Sequence, residues 1–323
     1  MLSDNEISTL IPLSFKGAEL PLMGKKSGKV RDFYPLPNDQ RLIVTTDRLS
    51  AFDRVLSAFP YKGQVLNQLS AWWFENTRDI IDNHILQVPD PNAILAIEAK
   101  PMMVEVVVRG YITGVGSTAL WYRYSLGERD IYGYHFPEGL KKNQILPKPI
   151  ITPTTKGGET GHDERLTCKE VVDKGILDAH TWEAVQDAAI KIFTKGQEIA
   201  RKAGIILVDT KYEFGLAPDG RILLIDEVHT PDSSRFWKLK TYQSRFEAGQ
   251  EPENFDKEFI RMAYAEKGYR GDGIAPEMPD SLWVSASQRY IQIYELLTGK
   301  TFIPGSYPVE TRITQNLEQA GII

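Results

Sequence analysis

The chain has 323 residues, of which 42% are hydrophobic and 25% are charged, and these are ordinary values for a globular protein. This length predicts about two domains, large enough to bury a core without disulfide bonds. The net charge of -5 argues against a general nucleic-acid or membrane surface, because proteins that bind such surfaces carry a basic face.

Signals for other compartments are missing from the sequence. Cys168 is the one cysteine, so no intrachain disulfide can form. Residues 1–15 have neither the basic region nor the long apolar run of a secretory signal, and no apolar run reaches the roughly 18 residues that a membrane span needs. We therefore expect a cytoplasmic protein whose partners include neither nucleic acid nor membrane.

The first strands surround a turn rich in glycine and lysine. Residues 21–47 are expected to form strand, turn, strand, turn and strand, and residues 30–34 show the two-residue period of a strand. The turn at 24–29 resembles a Walker A loop, but it is one residue too short and Val30 stands where Ser or Thr belongs. It fits a glycine hairpin that covers phosphates, as in kinase-like folds, and an ordinary surface turn is the alternative.

The middle of the chain contains helices, a strand and a long loop. Apolar spacing predicts a helix over 64–81 and a strand over 101–110, followed by a glycine-rich turn and another helix. Residues 141–168 are rich in Pro, Thr, Gly and charge, and we expect a long loop that is either a lid or a plain surface excursion. One apolar stripe over 181–204 predicts the clearest helix.

The last third begins with a hairpin. Residues 205–227 are expected to form two strands around the turn at 218–220, where Pro, Asp and Gly are typical turn residues. Two more helices are expected near 254–267 and 283–298. Since adjacent hairpins outnumber β–α–β units, the sequence predicts an α+β fold and not a doubly wound sheet.

Three charged side chains of this hairpin indicate a site for metal and phosphate. With a two-residue turn, Lys211 lies opposite Asp226 and Glu213 lies opposite Leu224, so the three charges share one face. A three-residue turn with a glycine bulge shifts this register by one, and a second irregularity is then needed to restore the alignment. We adopt the first register. Two carboxylates with open positions are typical of Mg²⁺ that nucleotide phosphates help to coordinate, and a solvated edge with a Lys–Asp ion pair is the alternative.

Polar residues also follow other predicted strands. Arg109 ends the strand over 101–110, and Arg235 follows Ser233 and Ser234. Arginine beside hydroxyl groups suits bidentate recognition of phosphate, although each arginine taken alone also fits a structural role. A similar cluster follows the strand before residue 47 and consists of Asp47, Arg48, Ser50 and Asp53. This recurrence indicates that several strands deliver polar groups to one cleft.

Six motifs in order resemble a known family: GKVRDFY, TTDRLSAFD, VVVRGYITG, TPTTKGGETGHDE, DTKYEFG and IDEVHTPDSSRFW. They are similar to the longer form of the phosphoribosylaminoimidazole-succinocarboxamide synthase (SAICAR synthetase) family, from about residue 20 to residue 300. The resemblance implies a ligase of de novo purine biosynthesis. It would join the carboxylate of carboxyaminoimidazole ribotide to L-aspartate with ATP and Mg²⁺, through an acyl phosphate, releasing ADP and phosphate.

The resemblance also implies an architecture. A kinase-like N-terminal antiparallel sheet domain would span 1–107, and a larger ATP-grasp-like α/β domain would span 108–323 and hold substrate and metal. A monomer or a small homo-oligomer is expected.

The site residues implied by the resemblance fall into three groups. The nucleotide group consists of Lys25, Ser27, Gly28, Lys29, Lys100, Met102, Glu105 and Lys156. The catalytic group consists of Lys211, Glu213, Asp226 and Asp232, with Glu213 and Asp226 as metal ligands. The substrate group consists of Ser50, Asp53, Arg109, Ser117, Ser234 and Arg235. Lys156 and the GHDE loop at 161–164 would close over the site.

One departure from the family and two other functions stay open. The family commonly has Gly-Ser directly after the Tyr-Ile-Thr step, whereas this chain has TGVGST, so the ribotide phosphate would meet either Ser117 or a backbone amide of 114–116. Asp53 and Asp232 are the candidate acceptors for the proton of the aspartate amine. A small-molecule kinase would use the same turn, carboxylates and arginines, and a nucleotide sensor would bind without turnover.

Overall fold

The computed structural model describes residues 2–52, 54–157 and 164–323. Its strands are β1 (Lys26–Ser27), β2 (Arg31–Leu36), β3 (Gln40–Thr45), β4 (Arg48–Ala51), β5 (Arg54–Ala58), β6 (Ile85–Asp90), β7 (Ala93–Ile97), β8 (Lys100–Pro101), β9 (Val104–Ile112), β10 (Asp130–Ile131), β11 (Tyr134–His135), β12 (Gln144–Ile151), β13 (Thr154–Thr155), β14 (Ile205–Leu216), β15 (Ile222–Ile225) and β16 (Ser234–Lys238). Its helices are α1 (Asp4–Leu10), α2 (Lys62–Asn76), α3 (Leu120–Ser125), α4 (Cys168–Asp173), α5 (Ala179–Lys202), α6 (Leu239–Glu247), α7 (Glu258–Glu266), α8 (Asp280–Thr298) and α9 (Val309–Gln319).

The first sheet is antiparallel and has the strand order β1-β2-β3-β7-β6. One of its faces buries Tyr34 and Leu42 against Ile313 and Leu317 of α9, so a helix from the far end of the sequence closes this core. The spacing of four residues between Val309, Ile313 and Leu317 is that of a helix face. We did not predict α1, α4, α6 or α9.

The second sheet is built around β14, which pairs antiparallel with β9, β15, β16 and β8. The helix α5 packs on it through a buried stripe that includes Trp182, Ile192 and Phe193, as its apolar period predicts. The side chain of Asp178 caps this helix by accepting a hydrogen bond from the backbone amide of Thr181. Mixed α and β structure with antiparallel sheets confirms the predicted class.

The hairpin register that we adopted is wrong. Glu213 pairs with Ile225 and Phe214 pairs with Leu224, one residue away from the predicted pairing. Gly220 has φ +86 in the turn, which is the left-handed conformation of the glycine-containing alternative. Asp226 then leaves the strand with φ +69, and this second irregularity changes where its side chain can point.

The loop expected over 141–168 is also partly wrong, because β12 pairs with β9 inside it. Pro147 and Pro149 in β12 conceal the strand in the sequence. They lie where the register shifts between Ile145 and Ile150, and proline is tolerated at such irregularities and at sheet edges. The strand expected before the Gly/Lys turn is also wrong. The first strand of the sheet, β1, lies within that turn.

Candidate active site

One strand connects two cavities. Asp209, Lys211 and Glu213 occupy alternate positions of β14, so their side chains leave the same face of the sheet. Asp209 and Lys211 line a large cleft, and Glu213 lines a smaller cavity. The Lys211 Nζ lies 2.7 Å from the Glu213 Oε1, so the two cavities meet at this ion pair.

The large cleft has a volume of about 540 Å³. It brings together six of the predicted site residues, namely Arg109, Ser117, Lys211, Asp232, Ser234 and Arg235. Three further cations that we did not predict also line it, namely Lys257, Arg261 and Arg270. So many cations beside hydroxyl groups suit an anionic, phosphate-bearing ligand.

Asp209 holds the two predicted arginines side by side. Its Oδ2 accepts hydrogen bonds from Nη1 of Arg109, at 3.3 Å, and from Nη1 of Arg235. Arg109 is also anchored by its Nε, which donates to the hydroxyl of Thr152 at 2.8 Å. Because one carboxylate neutralises two guanidinium groups, the pair keeps an excess positive charge toward the cleft.

The glycine-rich turn before α3 approaches Arg235 closely. Gly114 has φ +92, and a Cβ there would lie 2.7 Å from the Cβ of Ala119 and 3.3 Å from Nη2 of Arg235. Both reasons require glycine at this position. Gly116 and Ser117 both line the same cleft. The position of these residues therefore leaves both candidates for the phosphate contact open.

Asp232 lies in the cleft wall, but its carboxylate is already paired. It lies 2.9 Å from Nζ of the buried Lys62 and accepts a hydrogen bond of 2.8 Å from the Tyr290 hydroxyl. Burial alone would raise the pKa of Asp232, but Lys62 and Lys257 outweigh it and hold the pKa below its usual range. Asp232 is therefore a carboxylate that positions Lys62 and is a weak base.

The smaller cavity, of about 80 Å³, lies between the two sheets. The first sheet contributes apolar side chains such as Phe33 and Ile43, and the second contributes Glu213 and Asp226. Lys156 also lines it and makes an ion pair with Glu213. The two predicted metal ligands thus face one space, although the register that we used to predict this was wrong.

The two carboxylates differ in their electrostatic surroundings. Burial raises the pKa of Asp226 from 3.8 to about 6, more than the ion pair with Arg31 lowers it. Burial also opposes ionisation of Glu213, but the ammonium groups of Lys211 and Lys156 lower its pKa from 4.5 to about 2. In turn, carboxylates including Glu213 and Glu105 raise the pKa of Lys211 against the effect of burial.

A divalent cation fits this pair of carboxylates. Across residues 2–52, 54–157 and 164–323, no group of three or more His, Cys, Asp or Glu side chains is placed to hold a metal unaided. Mg²⁺ commonly takes one or two protein carboxylates and completes its shell with phosphates and water. Glu213 and Asp226 therefore suit a metal that arrives with a nucleotide.

Other predicted nucleotide residues lie outside the walls of both cavities. Lys25 Nζ is held by the Ala18 carbonyl and by the Glu19 carboxylate, each at 2.7 Å, and Ser27 belongs to β1. The Gly28 amide donates to the Arg31 carbonyl at 2.8 Å, which closes the hairpin. Arg48 donates from its Nε to the Lys29 carbonyl, at 3.2 Å.

In the segment expected to contact adenine, the residues that line the smaller cavity are neighbours of the predicted ones. Ala99 and Pro101 line the smaller cavity, whereas Lys100 is exposed and Met102 is buried in the main core. The Met102 amide donates to the Phe214 carbonyl at 2.9 Å, and this bond fixes the segment against β14. Glu105 accepts a hydrogen bond of 2.7 Å from Lys211 and so supports the junction of the two cavities.

A model of the SAICAR synthetase family matches residues 25–276. Over 313 residues the chain is 50% identical to phosphoribosylaminoimidazole-succinocarboxamide synthase of Legionella pneumophila strain Paris, covering 96% of this chain and 99% of that protein. The chain belongs to the SAICAR synthetase family. It is therefore an ATP-dependent ligase that joins carboxyaminoimidazole ribotide with aspartate in purine biosynthesis.

Plant and yeast relatives extend the similarity. The chloroplastic synthase of Arabidopsis thaliana is 46% identical, covering 93% of this chain and 73% of that protein. The SAICAR synthase of Saccharomyces cerevisiae in complex with SAICAR superposes with a TM-score of 0.76 at 31% identity, covering 90% of this chain and 99% of the other. A type-2 SAICAR synthetase in complex with ADP gives a TM-score of 0.66 at 25% identity, covering 87% of this chain and 100% of the other.

Sequence reasoning missed Arg31, although it stands in the first family motif. Its guanidinium is almost fully buried and makes ion pairs with Asp226 and, at 3.1 Å, with Glu227. One feature of the sequence could have revealed Arg31. It lies two residues before Phe33, so it shares a strand face with a residue that lines the smaller cavity. Arg31 thus links the first sheet to the predicted metal site.

One predicted substrate residue, Ser50, is not among the residues that line the cleft. Ser50 belongs to β4 and is half-buried, and its neighbour Phe52 lines the cleft in its place. Asp53 and residues 161–163 of the GHDE loop lie outside the described residues.

Proposed function

We propose that this ligase uses Mg²⁺ and ATP to convert the ribotide carboxylate into an acyl phosphate, which the aspartate amine then attacks. The observation that supports this most is the alternation of Asp209, Lys211 and Glu213 along β14. It sets a cationic cleft for the ribotide directly beside a carboxylate-lined cavity for the metal–nucleotide. ADP and phosphate would be the other products.

The chemistry explains why the two cavities must meet. A carboxylate is a poor electrophile because oxide would have to leave, whereas phosphate is a good leaving group. Transfer of the γ-phosphoryl group depends mainly on positioning and on neutralising charge. Lys211 lies at the junction and would neutralise the phosphoryl oxygens during transfer. The amine attack then needs both reactants to be held together with water excluded.

The nucleotide would lie between the sheets. Apolar side chains such as Ile43 and Ile97 would contact the base, next to the segment 99–105. Glu213 and Asp226 would hold Mg²⁺, which supplies charge neutralisation to the phosphates when bound. Lys156, together with Lys25, Lys29 and the amides of the Gly/Lys turn, would complete the phosphate site if the turn closes over it. The similarity to a synthetase that binds ADP supports this placement.

The ribotide would lie in the large cleft. Arg109 and Arg235 would contact its phosphate, with Ser117 or the backbone of 114–116 as a further donor. Ser234 lies beside them, and its hydroxyl is 2.7 Å from that of Thr210. We place aspartate in the rest of the cleft, near Asp232. The relative that was solved with SAICAR supports a product of this kind in the same fold.

The deciding experiment measures ADP release with the ribotide, with and without L-aspartate, and identifies the product by mass spectrometry. We expect an amide product whose formation requires aspartate. A phosphorylated product that accumulates together with stoichiometric ADP in the absence of aspartate would indicate a kinase. Nucleotide binding without turnover would indicate a sensor.

Other features stay predictions from the sequence. They are the domain boundary at 107/108, which falls inside β9, the kinase-like and ATP-grasp-like character of the two domains, a monomer or small homo-oligomer, and a cytoplasmic location. Among the described helices, none combines the length and the apolar character that a membrane span requires.

A further inference from the structure

The acceptor of the proton that the aspartate amine loses has not been assigned. Of our two candidates, Asp53 lies outside the described residues, and Asp232 is neutralised by Lys62 and by the Tyr290 hydroxyl. A carboxylate with two such partners and a lowered pKa holds a proton poorly. The described lining of the cleft offers a further candidate.

Lys257 has a position that fits this role. It directly precedes α7, lines the large cleft, and is only partly exposed. Its backbone amide donates to the Pro231 carbonyl at 3.3 Å, which holds it against the loop that carries Asp232 and Ser233. Among residues 2–52, 54–157 and 164–323, its ammonium has neither an ion pair nor a hydrogen bond, unlike Lys62.

The charges around Lys257 favour its neutral form. Burial lowers its pKa from 10.5 to about 8, and Arg261 and Lys62 act in the same direction, against Asp232 and Glu227. The other charged groups that line the cleft are Arg109, Asp209, Lys211, Arg235, Asp256, Glu258 and Arg270. A lysine in such surroundings is partly unprotonated near neutral pH and can accept a proton.

We propose that the Nζ of Lys257 takes the first proton from the ammonium group of the bound aspartate. This inference rests on the proposed function. The nitrogen lone pair that is freed attacks the acyl carbon, the new C–N bond forms, and the bond from that carbon to the phosphate oxygen breaks. The second proton of the nitrogen leaves with the phosphate, and Lys257 returns its own proton to solvent.

Two substitutions separate a base from a carboxylate anchor. Lys257→Arg keeps the positive charge but cannot lose its proton, and Lys257→Gln removes the charge. If Lys257 is the base, kcat with aspartate falls by about a hundredfold or more in both variants. If it only anchors an aspartate carboxylate, Lys257→Arg keeps most of kcat and Lys257→Gln mainly raises the KM for aspartate, which overturns the proposal.

The pH profile provides a second readout. In the wild type, kcat is expected to rise with pH and to level off above about pH 8, as Lys257 loses its proton. In both variants this inflection is expected to disappear. An inflection of unchanged position in Lys257→Arg overturns the proposal. Lys240→Gln, at an exposed lysine of α6, is the control and should keep both the rate and the profile.

Hydroxylamine in place of aspartate separates this inference from the proposed function. It is neutral near pH 7 and needs no base to form its nucleophile, so both variants should form the hydroxamate at the wild-type rate. Equal loss with hydroxylamine would mean that Lys257 acts in phosphoryl transfer or folding, and thermal unfolding of each variant distinguishes these two. Failure of the wild type to form any hydroxamate contradicts the acyl phosphate itself.

Discussion

The two ends of the functional face of β14 use opposite charge arrangements. At the cleft end, one carboxylate, Asp209, is shared by the guanidinium groups of Arg109 and Arg235. At the cavity end, one ammonium, Lys211, is shared by the carboxylates of Glu105 and Glu213. The first arrangement keeps an excess positive charge, which suits a phosphate. Because Lys156 also pairs with Glu213, the excess negative charge at the second end comes from Asp226 and Glu227 around the single Arg31, and it suits a metal.

This difference shows how one strand can serve two ligands of opposite charge. Alternate residues of a strand are about 7 Å apart, so the two groups stay separate on the same face. Each buried charge has an internal partner, which removes the large penalty of an unpaired charge in a protein interior. We expect ligand binding to exchange these partners without exposing a bare charge. The predictions below test each end separately.

The largest expected effect is at the cavity end. Asp226→Asn should lower kcat by about a hundredfold to a thousandfold, because one group that neutralises the phosphates through the metal is lost. Asp219→Asn removes an exposed carboxylate of the same hairpin, paired with Arg221, and should leave the rate unchanged. Rates near that of the wild type in Asp226→Asn would contradict the metal assignment. Steady-state kinetics over a range of Mg²⁺ concentrations make the measurement.

The same end should also contribute to the acid sensitivity of the fold. Since the pKa of Glu213 is lowered from 4.5 to about 2, its contribution is present above pH 4.5 and is lost as pH falls toward 2. Glu213→Gln should therefore reduce the free energy of unfolding by about 3 kcal/mol at neutral pH, and this deficit should vanish near pH 2. Chemical denaturation at a series of pH values measures it.

Glu138→Gln is the control for this prediction. Glu138 also has a lowered pKa, through Arg129, but it is fully exposed, so its removal should have little effect at any pH. A deficit of Glu213→Gln that does not change with pH would mean that packing, and not charge, explains its effect.

At the cleft end the expected effect is on substrate affinity. Arg235→Lys keeps the charge but loses the planar fork, so the KM for the ribotide should rise by about tenfold while the KM for ATP stays nearly constant. Arg221→Lys, in the exposed hairpin turn, should change neither value. Equal rises for both substrates in Arg235→Lys would argue against a ribotide phosphate site.

The smallest effect is expected at the turn beside Arg235. Gly114→Ala places a methyl group against Ala119 at a positive φ, which costs about 1 to 2 kcal/mol. Part of this strain should displace Arg235 and raise the ribotide KM by about fivefold, without changing the ATP KM. Gly127→Ala, also at a positive φ but with no atom within 4 Å and away from the cleft lining, is the matched control. Identical behaviour of the two alanine variants would contradict the role of Gly114.

Local signals predicted the main elements and much of the cleft. The apolar stripe of α5 and the polar residues within β9 and β14 are visible within single segments of sequence. The order of these segments also matched the family motifs. Arg109, Ser117 and Arg235 reach one cleft because antiparallel pairing places β9 and β16 on either side of β14. The proximity of such residues can be predicted once each strand is correctly assigned.

The misses have a common physical reason, which is that they depend on partners far away in sequence. Asp209 is recognisable only when Arg109 and Arg235 are seen beside it, and Arg31 only when Asp226 returns to the first sheet. The hairpin register depended on the conformation of Gly220, and two turn types fit the same residues. Lys257 stands in a segment without any motif that we recognised.

The helix α9 makes the first sheet depend on the other end of the polypeptide. Without Ile313 and Leu317, the apolar side chains of Tyr34 and Leu42 would meet water. A fragment comprising only residues 1–107 should then aggregate or remain unfolded when expressed alone, and addition of an α9 peptide should improve its recovery.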